Sequence, residues 1–215
     1  VWLRQDPPFD MHYITTTFIL DALKAQTLVV NDPFWVRNFP EKLLVLNFPE
    51  LIPPTTITKD INVLKAFKEK YGDIILKPLY GNGGSGVLRL NLNDQNLESI
   101  VEMYANFSRE PLVAQKFLPQ VNNGDKRIIL VNGDPVGAIN RVPISGEIRS
   151  NMHVGGTANQ AALTTVSYTH LTLLASGIRL NKSSVVLKIK IHFGKTQPKS
   201  SCYRKIVRIR DFFRS

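Results

Sequence analysis

Cysteine is nearly missing from this chain, since Cys202 is the single cysteine among 215 residues. One thiol cannot form a disulfide within the chain, and it excludes zinc sites built from paired cysteines. Histidine is scarce as well, and the four histidines lack the spacing of metal ligands: His12, His153, His170 and His192. The sequence therefore predicts no metal ligands among its own residues.

Long apolar runs are also lacking. No stretch of about 18 or more uncharged apolar residues occurs, which argues against a membrane-spanning helix. The chain begins at Val1, and no basic segment followed by an apolar run and a cleavage site opens it. With 43% hydrophobic and 20% charged residues, the composition is that of a globular protein. We therefore expect a cytoplasmic protein without a membrane partner.

Acidic residues are scarce in the last fifty positions. Residues 166–215 contain 11 lysines and arginines but a single acidic residue, Asp211. Residues 1–165 contain 16 basic and 16 acidic residues. A basic tail can bind nucleic acid, but this one lacks both a Pro/Gly linker and a helical stripe, and the alternation near residues 185–191 favours a strand. Charge alone therefore argues only weakly for nucleic-acid binding.

Hydrophobic periodicity predicts a mixed α/β protein with antiparallel strand pairs. Strands are expected at residues 27–31, 74–79, 87–92 and 112–118, and helices after residues 6–10, near 61–71 and at 94–107. Asn132-Gly133-Asp134 separates two apolar runs and predicts a hairpin.

A glycine loop at residues 81–86 allows three interpretations. Its letters satisfy Gly-x-Gly-x-x-Gly, which indicates dinucleotide binding if a helix follows. The next residues alternate like a strand, which favours a phosphate-covering hairpin with Lys77 nearby. A flexible turn is the third interpretation.

Several ordered blocks of residues 3–165 resemble bacterial glutathione synthetases, which are ATP-grasp ligases. The blocks are residues 4–10, 38–43, 73–79, 81–86, 114–119, 124–127, 140–143, 146–151 and 155–156. The resemblance implies an ATP-grasp lobe at residues 53–165, preceded by part of an α/β domain at residues 1–52. Residues 166–215 do not match, and we interpret them as a chimeric or frame-shifted segment that packs poorly against the preceding lobe, because it has no apolar face matched to that core.

The resemblance also implies roles for individual residues. Those expected to bind ATP are Lys42, Lys77, Gly81, Asn82, Gly83, Gly84, Ser85, Gly86, Gln115, Lys116, Phe117 and Leu118. Residues 81–86 would form a lid over the phosphates, and residues 115–118 a strand edge that receives adenine. The expected catalytic and substrate-binding residues are Arg127, Arg141 and Arg149, with Arg4, Gly155 and Gly156 as further substrate contacts. Arginine's planar fork suits carboxylate and phosphate oxygens, although a hairpin arginine often serves only solubility.

The implied activity is ATP-dependent ligation of γ-glutamylcysteine and glycine into glutathione through an acyl phosphate. The alternatives are another ATP-grasp carboxylate–amine ligase, or a non-catalytic basic protein that binds nucleic acid. The family uses Mg²⁺, but the strands that carry its ligands have no counterpart here, so we expect the 215-residue chain to be inactive. The complete enzyme is expected to be a homo-oligomer.

Overall fold

The computed structural model of this chain describes residues 1–131, 134–163 and 186–191. The helices are α1 (Met11–Leu23), α2 (Pro33–Asn38), α3 (Glu41–Leu44), α4 (Ile61–Tyr71) and α5 (Leu97–Phe107). The strands are β1 (Thr55–Thr58), β2 (Ile74–Pro78), β3 (Leu88–Leu90), β4 (Leu112–Lys116), β5 (Asp125–Val131), β6 (Asp134–Val142), β7 (Thr157–Gln160) and β8 (Val186–Ile191). Short 3-10 turns lie at Val45–Asn47, Pro49–Leu51, Pro119–Asn123 and Met152–Val154. Within these ranges, no helix has the length and apolar character needed to cross a membrane.

The first sheet has the strand order β1-β4-β2-β3, with antiparallel neighbours. Along β2, Ile74 and Leu76 are fully buried, while Ile75 between them is half-buried. This alternation follows from the two-residue period of a strand. The predicted order of strand, glycine loop and strand is therefore confirmed, and the mixed α/β class with it.

Helices α4 and α5 cover one face of this sheet. Asp60 caps α4 by accepting a hydrogen bond from the Asn62 backbone N–H at 2.8 Å. The buried core consists of Leu64, Ile74, Leu76, Leu90, Leu97, Tyr104, Leu112 and Ala114. Apolar spacing near 3.6 residues in both helices, against a spacing of two in the strands, brings these side chains to one layer.

The second sheet has the order β7-β6-β5-β8. Its central hairpin, β5 and β6, pairs Asp125 with Arg141 at one end and Val131 with Asp134 at the other, which confirms the predicted hairpin. The turn residues 132–133 lie outside the described ranges. The small buried core of the second sheet consists of Ile128, Leu130 and Ala138.

The predicted strand at residues 27–31 is wrong. Only an isolated parallel bridge forms there, between Trp2 and Val30. A short apolar run becomes a strand only where neighbours supply backbone partners, and sequence periodicity does not report those neighbours. The helix predicted after residues 6–10 is confirmed as α1, which Asp10 caps by accepting from the Tyr13 N–H at 3.0 Å.

The basic tail contributes one described strand. Backbone pairing joins β8 to β5, from Lys126 opposite Ile191 to Val131 opposite Val186, so this strand extends the second sheet. The expectation that the tail lacks an apolar face matched to the core stays a prediction. An unpaired sheet edge accepts an alternating segment through backbone hydrogen bonds, and these need no matched side chains. The origin of residues 166–215 and the domain limits at residues 52 and 165 stay predictions.

We expect Leu64→Ala to destabilise the fold by about 2–5 kcal/mol, because Leu64 is completely buried between α4 and the first sheet. Val63→Ala is the matched control, since Val63 is the preceding residue of α4 and is 44% exposed. Urea unfolding followed by circular dichroism measures both. Equal destabilisation by the two substitutions would contradict this assignment of the core.

Candidate functional site

The glycine loop, residues 81–86, joins β2 to β3, and the described backbone there consists of turns. Because a dinucleotide-binding fingerprint needs a helix after the loop, that interpretation is wrong. Gly84 has a φ of +87°, and a Cβ atom there would lie 3.1 Å from the Oδ1 atom of Asn151. The loop therefore packs against the segment that carries Asn151 too closely for a side chain at position 84.

A half-buried lysine and a buried tyrosine hold the ends of the glycine loop. Lys42, on α3, donates from Nζ to the carbonyl oxygens of Pro78 at 2.6 Å and Gly81 at 2.9 Å. Tyr104, on α5, donates its hydroxyl to the carbonyl of Gly86. The Tyr104 contact was missed by the sequence analysis, because helical periodicity predicts that Tyr104 is buried but not which carbonyl its hydroxyl reaches.

Lys42 is a half-buried cation that forms no ion pair with a carboxylate among the described residues. Burial lowers the pKa of Lys42, and the charge of the neighbouring Glu41 opposes that shift. Its two acceptors are neutral carbonyls. A desolvated ammonium in this setting favours an anionic ligand such as a phosphate.

Lys77 belongs to a chain of side-chain hydrogen bonds across the first sheet. Its Nζ donates to the Oε1 atom of Gln115 at 3.1 Å, and the Gln115 amide donates from Nε2 to the Thr55 hydroxyl at 2.8 Å. The Thr55 hydroxyl in turn donates to the Pro53 carbonyl at 2.7 Å. Gln115 therefore orients Lys77 through its side chain, a contact that the sequence could not reveal. The shared cleft of Lys42 and Lys77 stays a prediction.

Residues 115–118 differ from the expected strand edge. Gln115 and Lys116 lie in β4, which is an inner strand, so the edge expectation is wrong for them. The Phe117 N–H donates to the Asp73 carbonyl, and the Phe117 side chain is buried. Leu118 follows β4 and is half-buried, and its N–H donates no hydrogen bond within the described ranges. The backbone after β4, rather than β4 itself, can accept a ligand.

Arg149 reaches the tip of the glycine loop. Its Nη1 donates to the Gly84 carbonyl at 3.3 Å, and its Nη2 donates to the Glu147 carboxylate at 2.5 Å. The same carboxylate accepts from the backbone N–H groups of Ile148 and Arg149. Bonding to the Arg149 guanidinium, together with these two N–H groups, lowers the pKa of Glu147 to about 2. Glu147, which the sequence analysis did not single out, fixes the direction of Arg149.

Arg141 faces inward. Its Nε donates to Oδ1 of Asp125 at 3.0 Å and its Nη2 to Oδ2, while the Ser150 hydroxyl donates to Oδ1 at 2.7 Å. Asp125, Ser150 and Arg141 are 0%, 2% and 4% exposed. Arg127 is half-buried. Burial and, secondly, the positive charge of Arg141 lower the pKa of Arg127, whereas the negative charges of Asp125 and Glu41 oppose this shift. Arg127 and Arg141 are thus close enough to act on each other, and Arg149 is tied to them through Ser150.

The remaining predicted substrate residues have two different positions. Gly156 approaches Ser150 so closely that a Cβ atom would lie 2.5 Å from the Ser150 carbonyl oxygen, and Gly155 has a φ of +90°. Both glycines therefore shape the segment that holds Arg149. Arg4 is exposed, and it makes no ion pair or side-chain hydrogen bond in the described part of the chain. Its assignment as a substrate residue stays a prediction.

No group of three or more His, Cys, Asp or Glu side chains that could hold a metal occurs among residues 1–131, 134–163 and 186–191. Mg²⁺ prefers carboxylate oxygens and water as ligands. The buried carboxylate nearest the arginines, that of Asp125, is engaged by a guanidinium and a hydroxyl. The described residues therefore do not fit a magnesium site.

Comparisons with known proteins agree on one family. The model of the prokaryotic glutathione synthetase ATP-grasp domain matches residues 41–182, and that of the prokaryotic glutathione synthetase N-terminal domain matches residues 1–37. Glutathione synthetase of Brucella melitensis is 58% identical over 164 residues, which are 76% of this chain and 53% of that protein. The protein of the same name from Synechocystis sp. is 42% identical over 176 residues, 81% of this chain and 54% of that protein. The chain spans about half the length of the curated relatives it matches.

Solved structures show the same fold at low identity. D-alanine–D-alanine ligase from Bacillus anthracis, complexed with ATP, is similar with a TM-score of 0.61 at 16% identity, covering 84% of this chain and 59% of that chain. The D-cycloserine synthetase DcsG is similar with a TM-score of 0.61 at 12% identity, covering 93% of this chain and 80% of that chain. The expected ATP-grasp fold is therefore confirmed.

We expect acid to release Arg149 by protonating Glu147. The folded pKa of Glu147 is about 2, below its ordinary value of 4.5, so the ionised carboxylate stabilises the fold above that ordinary value. This contribution is lost as the pH falls through the folded pKa. Glu147→Gln should therefore flatten the pH dependence of the unfolding free energy between about pH 4.5 and 2.

The control for this substitution is Glu102→Gln. Glu102 is exposed on α5 and makes no ion pair within the described ranges. Urea unfolding at several pH values compares both variants with the unsubstituted chain. If Glu147→Gln and Glu102→Gln gave the same pH dependence, the bond between Glu147 and Arg149 would not stabilise the fold.

Proposed function

Because this chain belongs to the prokaryotic glutathione synthetase family, we propose that it serves the ATP-dependent joining of γ-glutamylcysteine and glycine into glutathione. ATP supplies the γ-phosphoryl group that turns the cysteinyl carboxylate into an acyl phosphate, with ADP released. The glycine amine then forms the amide bond, inorganic phosphate leaves, and the amine loses a proton. The hydrogen bonds that Lys42 donates to the Pro78 and Gly81 carbonyls, at the start of the glycine loop, carry this proposal.

The chain's own residues fit the phosphates of ATP. Lys42 has a partly desolvated ammonium that contacts the start of the loop, and its hydrogen bonds go to neutral carbonyls rather than to a carboxylate. The positive φ of Gly83, Gly84 and Gly86 lets the backbone approach a ligand without side chains in the way. We propose that Lys42, Lys77 and the glycine loop hold the phosphates.

The adenine would lie beside the end of β4. Leu118 offers a backbone N–H that donates no hydrogen bond in the described ranges, and adenine nitrogens are suitable acceptors. Gln115 would act indirectly, because its side chain is engaged by Lys77 and Thr55. Phe117 would serve the core rather than touch the base, since its side chain is buried.

Arg127 and Arg149 are the arginines suited to the reacting carboxylate and phosphoryl oxygens. Arg149 already contacts the loop, and Arg127 has no ion pair among the described residues. Fixed guanidinium groups in a partly buried site stabilise negative charge that develops during phosphoryl transfer. Their contribution is orientation and charge neutralisation. No step is assigned to Mg²⁺, because the described residues do not fit it.

Another ATP-grasp carboxylate–amine ligase is the alternative activity, and dependence of turnover on glycine distinguishes the two. The nucleic-acid alternative rests on residues 166–215, of which only the backbone of β8 is described. A reaction that consumes ATP supports the proposal of a cytoplasmic enzyme. Assembly of the complete enzyme as a homo-oligomer stays a prediction.

We expect Lys42→Met to weaken ATP binding at least about ten-fold, a loss of about 1.4 kcal/mol, because the phosphates lose a desolvated cation. Titration of a fluorescent ATP analogue measures the affinity. The matched control is Lys68→Met. Lys68 is buried, and like Lys42 it donates to two backbone carbonyls, those of Leu92 and Asp94, but these follow β3 and lie outside the glycine loop.

Lys68→Met should lower stability and leave the affinity of the folded protein for ATP within about two-fold. An equal loss of affinity in both variants would trace the effect to general destabilisation. Absence of ATP binding by the unsubstituted chain would contradict the proposed function itself.

We also expect the 215-residue chain to bind ATP without making glutathione. The described residues offer no carboxylate cluster, and residues 166–215 contain only Asp211 as an acid. Release of ADP that depends on both γ-glutamylcysteine and glycine is the measurement, with the Brucella melitensis enzyme as positive control. Robust turnover by the chain would contradict this expectation.

A further inference from the structure

The buried cluster of Asp125, Arg141 and Ser150 carries a further inference. It joins three separate segments: the start of β5, the end of β6, and the segment between β6 and β7. All three side chains are at most 4% exposed. A buried carboxylate costs free energy unless it is paired and hydrogen-bonded, and here both of its oxygens accept bonds. The cluster is therefore a rigid junction rather than a surface ion pair.

The strand geometry explains why this junction affects the site. Asp125 and Arg127 are two residues apart on β5, so their side chains leave the same face of the sheet. Arg141 is the cross-strand partner of Asp125 in the register of the hairpin. Two guanidinium groups and one carboxylate thus share a small area. Like charges this close repel each other in a partly buried setting, and Asp125 compensates the charge of Arg141.

The other connection runs to the tip of the glycine loop. Ser150 directly follows Arg149, and its hydroxyl is fixed on Asp125 at 2.7 Å. The Gly156 N–H donates to the Asn151 carbonyl at 3.1 Å and so closes the turn that follows Ser150. The backbone that carries Arg149 is thereby anchored directly beyond that residue.

We propose that Asp125 is a positioning residue, whose carboxylate holds Arg141 and Ser150 as one unit. Through this unit it directs the guanidinium groups of Arg127 and Arg149 toward the anionic reactants. Arg141 is accordingly a positioning residue too, rather than a ligand of the substrate. The inference rests on the proposed function for the identity of the anions, but its geometric content concerns only the orientation of the arginines.

The test compares Asp125→Asn with Asp73→Asn in the full 215-residue chain. Asp73 forms a similar bond, with Oδ2 at 2.6 Å from Nη2 of Arg89, but its side chain is 33% exposed and is not part of the cluster. Nuclear magnetic resonance of arginine Nε–Hε groups reports each guanidinium without any ligand. Arg127→Lys, Arg141→Lys and Arg149→Lys assign the signals.

In Asp125→Asn we expect the signals of Arg127, Arg141 and Arg149 all to shift, and the Arg141 Hε to exchange at least about ten-fold faster with water. ATP affinity should fall at least about ten-fold. In Asp73→Asn these three signals and the affinity should stay unchanged. An Asp125→Asn variant that is folded and keeps the Arg127 and Arg149 signals in place would overturn the inference.

Ser150→Ala covers the case in which Asp125→Asn does not fold. It removes one hydrogen bond from the carboxylate and leaves the bond with Arg141 in place. The Arg149 signal should shift and ATP affinity should fall about three-fold. An unchanged Arg149 signal in this variant would overturn the inference. Failure of the unsubstituted chain to bind ATP would instead contradict the proposed function, because the arginine signals are read without nucleotide.

Discussion

The geometry of the site depends on the hydrogen bonds that the half-buried ammonium of Lys42 donates. It joins α3 to the end of β2 and to the first residue of the glycine loop through two backbone carbonyls. Its two acceptors are neutral and leave it a positive charge, in a partly desolvated position. A carboxylate in the same position would fix the lysine equally well but would remove the attraction for an anion. The position of Lys42 thus combines an anchor for the loop with a binding determinant.

The sequence predicted those strands and turns whose signal lies within a few consecutive residues. An apolar run before residues 81–86 and period-two alternation after them predicted the strands that flank the loop, and this alternation favoured a hairpin over the helix of a dinucleotide fold. The hairpin of β5 and β6 followed from turn chemistry at Asn132-Gly133. The strand predicted at residues 27–31 failed, because strand formation depends on neighbours that lie elsewhere in the chain.

Contacts between side chains were much harder to predict. The family resemblance named Arg141 as a substrate residue, yet its bidentate bond with Asp125 depends on hairpin register and on burial, and neither is visible in the letters. Tyr104 and Glu147 were not singled out at all, since an ordinary tyrosine on a helix and an acid two residues before an arginine have many structural uses. Their importance comes from the partners that folding gives them, Gly86 and Arg149.

The three attachments of the glycine loop differ in strength, and this difference determines how the loop moves. The two ends are held by the half-buried ammonium of Lys42 and the buried phenol of Tyr104, whereas the bond from Arg149 to the middle is 3.3 Å, which is long for an N–H donor. A segment that is fixed at both ends and held less firmly in the centre would open at its tip first. Entry and departure of a ligand would then be gated by the guanidinium of Arg149. Since such gating motions commonly take microseconds to milliseconds, the rate of turnover in the complete enzyme would be sensitive to this single contact.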